Sequence, residues 1–142
     1  MLSAFTEVFE INSTFPSKDG IVTVNASYSD VFAREGMPVS AEVLAVDRQG
    51  PTLSALSISS PDNPSWATDG ETVTISIQTD ELLGAAPSGS GLGTVSGANA
   101  SWTGTRVISP SDPEGLLTFN GTLRDLAGNT AAFDQSSTTD GS

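Results

Sequence analysis

Apolar and polar residues alternate one by one along several stretches of this sequence. Between Glu71 and Thr79, the residues Val73, Ile75 and Ile77 are separated by single polar residues. An extended chain directs successive side chains to opposite sides, so this period of two predicts a strand with one face on a core and the other in water. The same alternation recurs at 22–28, 39–43, 100–105 and 116–123. The period of two therefore predicts an all-β protein.

Clusters of turn-forming residues separate the alternating stretches. They are rich in Gly, Pro, Asn and Asp, which adopt turn conformations at little cost, and they lie at 61–64, 69–70, 84–93, 109–115 and 127–129. Short strands with turns at such close intervals are typical of a β-sandwich or a β-barrel. No stretch has the spacing of an amphipathic helix.

The sequence contains an internal repeat. Residues 19–30 align without a gap with residues 114–125, which lie 95 positions later. Four positions are identical, and nearly all the others keep their polarity; the identical pairs are Gly20/Gly115, Thr23/Thr118, Asn25/Asn120 and Asp30/Asp125. A period of this length is typical of one β-sandwich domain. We therefore expect the two stretches to be equivalent strands of two copies of one domain.

The two copies differ in how much of the period they contain. The second copy begins near Asp47 and makes up one full period, with a linker at 47–51 and a complete domain at 52–142, whereas residues 1–46 correspond only to the C-terminal half of a preceding domain. A half-sandwich on its own exposes an apolar face and an unpaired edge. Either the chain belongs to a longer tandem array, or another copy supplies the missing strands by exchange. The tandem array is the favoured interpretation.

Three motifs carry a resemblance to a known family. They are Gly-Pro-Thr-Leu at 50–53 after Asp47, Gly-Glu-Thr-Val-Thr-Ile at 70–75, and Arg-Asp-Leu-Ala-Gly-Asn at 124–129. In this order they resemble the immunoglobulin-like repeats of large bacterial surface and adhesion proteins, and similar repeats occur in eukaryotic extracellular proteins. The resemblance covers 47–135 fully and 18–46 partly, because the closing motif of the first copy, at 30–34, keeps only its Asp. It implies a seven-stranded sandwich that serves as a spacer, in some cases with calcium at domain junctions.

Five oxygen-bearing residues are candidates for such a calcium site. In the implied sandwich, one pole would carry Asp47, Asp80, Glu81, Asp125 and Asn129. Calcium takes six to eight oxygen ligands, and carboxylates held close together repel one another unless a cation lies among them. Alternatively, Asp125 and Asn129 satisfy the backbone of a tight turn while Asp80 and Glu81 are solvated loop residues. Both interpretations stay open at this point.

Four of the six asparagines lie in Asn-x-Ser/Thr sequences, the acceptor motif for N-glycosylation. They are Asn12, Asn25, Asn99 and Asn120. One interpretation is an N-glycosylated extracellular protein. The other is the polar strand face of a Ser/Thr-rich bacterial repeat, in which the motif occurs by chance.

Composition argues against several classes of function. The chain has 17 acidic and 5 basic residues and a net charge of −12, so it has no basic face for nucleic acid. It contains neither Cys nor His, so it lacks the side chains of ordinary zinc sites and of Ser-His or Cys-His nucleophile pairs. No apolar run approaches the roughly 18 residues that span a bilayer. The carboxylate pairs at 80–81 and 112/114 fall in predicted loops without an evident cleft, so we expect no enzymatic activity.

Together these observations predict an all-β chain: an immunoglobulin-like antiparallel β-sandwich preceded by the C-terminal half of another. The predicted function is a non-catalytic structural spacer of an extracellular surface or adhesion protein, with neighbouring repeats as partners and calcium as the one candidate cofactor. The alternatives are a subunit of an extracellular filament completed by strand exchange between copies, and a module that binds cell-surface glycans through Trp66 and the acidic pole loops.

Overall fold

The computed structural model describes residues 19–63 and 65–140, apart from the side chain of Val43. The chain divides into two compact units, Met1–Arg48 and Gln49–Ser142. The described residues form nine strands in antiparallel sheets and one short 3-10 helix, which confirms the all-β prediction. Within these residues, no helix is both long enough and apolar enough to cross a bilayer.

The described part of the first unit is a two-stranded antiparallel sheet. Strand β1 (Gly20–Ala26) pairs with β2 (Val39–Val46). A register shift after Val22 places Leu44 opposite Val22, while Ala41 lies opposite Val24. Leu44 therefore joins the face predicted for Val39 and Ala41, whereas the side chain of Val43, assigned to that face by the alternation, lies outside the described residues.

The second unit contains two sheets. The first has the order β3-β4-β7-β6 and the second has the order β5-β8-β9. The strands are β3 (Leu53–Ser59), β4 (Thr72–Thr79), β5 (Ser88–Ser90), β6 (Thr94–Ala98), β7 (Ser101–Val107), β8 (Asn120–Arg124) and β9 (Thr130–Asp134). A 3-10 helix at Gln135–Ser137 follows β9.

One hydrophobic core joins the two sheets of this unit. Leu56, Ile75 and Ile77 of the first sheet share a cluster of buried side chains with Leu123 and Phe133 of the second. Val73 is buried as well, so the alternation at 71–79 correctly identified the inward face of β4. This arrangement is consistent with a β-sandwich.

Trp102 packs against this core from β7, on the inward side of the alternating stretch at 100–105. It lies opposite Ile77 in the ladder and is half-buried. Its indole N–H donates a hydrogen bond of 3.0 Å to the carbonyl of Asn99. The ring thus contributes apolar area while its polar atom is satisfied, as expected of a core tryptophan.

Two local predictions were wrong. Alternation at 116–123 placed a strand start at Leu116, but β8 begins at Asn120. The residue before it, Phe119, donates its backbone N–H to the Gln135 side chain at 3.3 Å instead of to another strand. Strand β5 lies inside the stretch interpreted as a turn, because its Ser and Gly residues pair with β8 without any apolar alternation to reveal them.

The outer edge of β3 is covered by the segment that follows the 3-10 helix. The N–H of Thr139 donates to the carbonyl of Leu56 at 2.9 Å, and the N–H of Leu56 donates to the Thr139 hydroxyl at 3.1 Å. Uncovered edges can pair with strands of other chains. This segment removes the middle of β3 from such pairing.

Candidate functional site

Four of the five predicted cation ligands lie at one end of the second unit. A bridge between Leu83 and Asp125 joins the loop after β4 to the end of β8, and the N–H of Gly84 donates to the carbonyl of Arg124 at 2.9 Å. This end, here called the acidic pole, carries Asp80, Glu81, Asp125 and Asn129. The fifth residue, Asp47, belongs to the first unit, directly after β2.

Asp80 holds the start of β3. Its Oδ1 accepts the backbone N–H of Thr52 at 2.7 Å, and its Oδ2 accepts the Thr52 hydroxyl, also at 2.7 Å. The N–H of Asp80 donates in return to the carbonyl of Thr52 at 3.0 Å. The bonds from the Thr52 hydroxyl and N–H lower the pKa of the Asp80 carboxyl below its ordinary value. Asp80 is therefore more than a solvated loop residue.

Asp125 closes the turn between β8 and β9. Its Oδ1 accepts the N–H groups of Gly128 at 2.6 Å and Asn129 at 2.8 Å, and its Oδ2 accepts the side-chain amide of Asn129 at 2.9 Å. The residue is only 2% exposed. Burial acts to raise the pKa of Asp125, but the hydrogen bonds from Asn129 and Gly128 outweigh it and hold the pKa below its ordinary value.

Asp30 makes a similar set of contacts in the first unit, with one backbone donor two residues later where Asp125 has one three residues later. Its Oδ1 accepts the N–H groups of Phe32 at 2.8 Å and Arg34 at 3.0 Å, and its Oδ2 accepts Nε of Arg34 at 2.7 Å. The backbone N–H of Arg34 is the main cause of a lowered pKa at Asp30. Arg34 lies four residues after Asp30, as Asn129 lies four residues after Asp125. The same position supplies a backbone donor and a side-chain donor in both turns.

The backbone of the two turns also corresponds. The N–H of Asp30 donates to the carbonyl of Arg34 at 2.9 Å, and that of Asp125 donates to the carbonyl of Asn129 at 3.1 Å. The third residue after each aspartate has a left-handed backbone, with φ of 59° at Ala33 and 98° at Gly128. The first unit thus has a turn of similar geometry although its sequence at 30–34 shares only the Asp with the motif at 125–129.

These contacts favour a structural role for the carboxylates of the acidic pole. Oδ1 of Asp125 already accepts two hydrogen bonds, which is the capacity of its lone pairs, and each oxygen of Asp80 accepts one. This supports the turn interpretation of Asp125 and Asn129. Calcium at this pole stays a prediction.

The predicted glycosylation sites within the described residues are all exposed. Asn25, Asn99 and Asn120 have accessible side chains, while Asn12 lies outside the described residues. Asn99 has a left-handed backbone with φ of 59°, and Oδ1 of Asn120 accepts the N–H of Ser90 at 3.4 Å. Exposure is compatible with an attached glycan, and glycosylation stays a prediction.

Sequence reasoning missed two residues that donate hydrogen bonds to these carboxylates, Arg34 and Thr52. Arg34 could have been found from its spacing, because it stands four residues after Asp30 as Asn129 does after Asp125. Thr52 lies 28 residues from its partner Asp80, and no local pattern links the two.

Comparisons of the chain with protein-family models, with curated proteins and with solved structures found no match.

The left-handed position of the turns gives a pair of opposite predictions. Gly128→Ala should destabilise the second unit by about 1 kcal/mol, because a Cβ disfavours the left-handed backbone. Ala33→Gly removes the same strain from the first unit and should slow hydrogen exchange of the Arg34 amide. Denaturant unfolding measures the first effect and NMR-detected exchange the second. Unchanged stability in Gly128→Ala would contradict the assigned turn geometry.

The lowered pKa of Asp125 predicts a pH dependence. Because its folded pKa lies below the unfolded value of about 4, the ionised carboxylate stabilises the fold above that pH, and the stabilisation is lost as the pH falls through the folded pKa. Asp125→Asn should therefore flatten the acid-induced fall in the free energy of unfolding. Denaturant titrations from about pH 2 to about pH 7, a range that brackets the ordinary carboxyl pKa, measure this fall. Asp69→Asn removes a charge from an exposed loop and serves as the control, expected to keep the wild-type slope.

Proposed function

We propose that this chain is a non-catalytic structural repeat of an extracellular surface or adhesion protein, in which immunoglobulin-like sandwiches follow one another as spacers. The observation that carries the proposal is the recurrence of one turn, closed by Asp30 with Arg34 in the first unit and by Asp125 with Asn129 in the second. Equivalent turns that lie 95 residues apart are expected of tandem copies of one domain.

The environments of the acidic side chains support a non-catalytic role. Asp80, Asp125 and Asp30 are engaged by backbone donors of their own turns and strands. Asp112 pairs with Arg106 and accepts the N–H of Ser109 at 2.9 Å. A general acid needs a raised pKa, whereas hydrogen bonds lower the pKa of each of these four carboxyls.

Charge and linkers would serve such a spacer. The net charge of −12 makes successive domains repel one another and stay soluble. The Gly-Pro sequence at 50–51 restricts the backbone where the second unit begins. A neighbouring repeat is the partner that this arrangement implies, and a cell surface is the expected location.

The alternative of a glycan-binding module loses its proposed site. Trp66 is 76% exposed and therefore could stack on a sugar. It lies in the loop between β3 and β4, which leaves these strands at the end opposite to Thr52 and Asp80. Trp66 and the acidic pole therefore cannot line one site.

The filament alternative differs from the spacer in its expected behaviour in solution. A filament subunit should polymerise as the protein concentration rises, whereas a spacer should not.

Stretching experiments test the spacer proposal. In a head-to-tail concatemer of the full chain, each second unit should unfold as a separate event and lengthen the molecule by about 300 Å, given roughly 3.4 Å per extended residue. Leu56→Ala leaves a cavity in the core, costs about 2–5 kcal/mol, and should lower the unfolding force without changing the step. Ser57→Ala, the adjacent position on β3, is the control.

The parent reading frame provides an independent check of the array. We expect further copies at the 95-residue period, each with a turn Asp and a side-chain donor four residues later. A parent without additional copies, or a concatemer that extends without discrete steps, would contradict the proposal.

The calcium component is tested by calorimetry. The structural interpretation, in which protein donors engage Asp80 and Asp125, predicts the same melting temperature in calcium and in EDTA. A higher melting temperature in calcium that Glu81→Gln abolishes would instead support an ion at the acidic pole. Magnesium at equal concentration controls for ionic strength.

A further inference from the structure

One face of the β1–β2 sheet is apolar and exposed. This face, here called the acceptor face, consists of three cross-strand pairs: Val22 with Leu44, Val24 with Ala41, and Ala26 with Val39. Val39 is 59% exposed, Leu44 51% and Val24 37%. The opposite face carries the polar pairs Thr23 with Glu42 and Asn25 with Ser40, and at its far end the apolar pair Ile21 with Ala45. A sheet with this division is suited to packing its apolar face on a second layer.

Of these three pairs, the one nearest the turn has a covered counterpart in the second unit. Ala26 lies four residues before Asp30 and pairs with Val39. Gly121 lies four residues before Asp125 and pairs with Phe133. Gly121 and Phe133 are buried. The side chains that share their core from the other sheet are Leu56 of β3 and Ile75 and Ile77 of β4.

The fit at this position is close. A Cβ at Gly121 would overlap the ring of Phe133 and lie 3.2 Å from Cδ1 of Leu92. In the first unit, Ala26 stands in place of the glycine and Val39 in place of the phenylalanine. The smaller member of the pair therefore gains a methyl group, and the larger member loses its ring. The two pairs therefore present apolar surfaces of the same kind, one covered and one exposed.

We propose that the acceptor face is covered by a hairpin of the β3–β4 type, supplied by the half-repeat that precedes it in the same polypeptide. The inference rests on the proposed tandem array and names the segment that completes the first unit. The acceptor face has no charged member, and the core residues Leu56, Ile75 and Ile77 are uncharged as well. Association would therefore be driven by burial of apolar surface on both sides.

The test adds such a hairpin to the full chain. Because the period is 95 residues, a copy of residues 49–95 placed before Met1 restores one full period and supplies a second β3–β4 hairpin. Hydrogen exchange of the β1 and β2 amides should then slow at least tenfold relative to the unextended chain. The amides of β8 and β9 act as the internal reference for a covered hairpin.

Matched variants locate the contact. In the extended chain, Val24→Asp places a charge on the acceptor face and should abolish the gain in protection, whereas Thr23→Asp places the same charge on the opposite face and should leave it. Leu56→Asp in the added copy alone should have the same effect as Val24→Asp, while the second unit keeps its own hairpin and stays folded.

Three results would overturn the proposal. They are an extended chain without added protection, equal effects of Val24→Asp and Thr23→Asp, and protection of β1 and β2 in the unextended chain that rises with protein concentration. The last would identify a second copy as the occupant. These outcomes are separate from those of the array, because a parent reading frame without further copies refutes the array whatever the exchange data show.

Discussion

Hydrogen bonds to a turn aspartate set the strand pairing on which both units depend. Where Asp125 accepts the N–H groups of Gly128 and Asn129, β9 starts opposite the end of β8, and this register brings Gly121 against Phe133 in the core. The turn of Asp30 shares the backbone and side-chain donors four residues after the aspartate, although the apolar face of the neighbouring β1–β2 sheet is exposed. The turn is therefore specified by residues within five positions of one another, and it forms whether or not a second sheet covers the strands.

Burial is what separates the two units. The second unit places β3 and β4 over its hairpin, and Leu56, Ile75 and Ile77 supply the other half of the core. Asp80 anchors the start of β3 through Thr52, and the segment around Thr139 covers the edge of the same strand. Because hydrophobic burial is the main favourable term in folding, we expect the described hairpin of the first unit to be the less stable, with its apolar surface as the feature that needs a partner.

The parts of this structure that the sequence predicted are those encoded by neighbouring residues. Alternation identified β4 and its inward face because this pattern lies within nine consecutive residues, and the repeat identified the two turn aspartates because each aligned stretch is only twelve residues long. Strand β5 could not be found this way, since its Ser-Gly-Ser sequence has no inward face to mark and its position depends on β8. The link between Asp80 and Thr52 also escaped, because it depends on how β3 packs beside β4. The convergence of Asp80 and Asp125 at one pole was expected from the sandwich that the family resemblance implies.

The comparison of the two turns shows why motif letters understate the repeat. Asn129 and Arg34 differ in size and charge, yet each donates a backbone N–H to one carboxylate oxygen and a side-chain N–H to the other. Gly128 and Ala33 differ in the cost of a left-handed backbone, yet both adopt it. What the turn requires is a donor four residues after the aspartate and a tolerated left-handed residue before that donor. In this chain, therefore, the donor spacing is kept at a turn where most of the motif's letters are not.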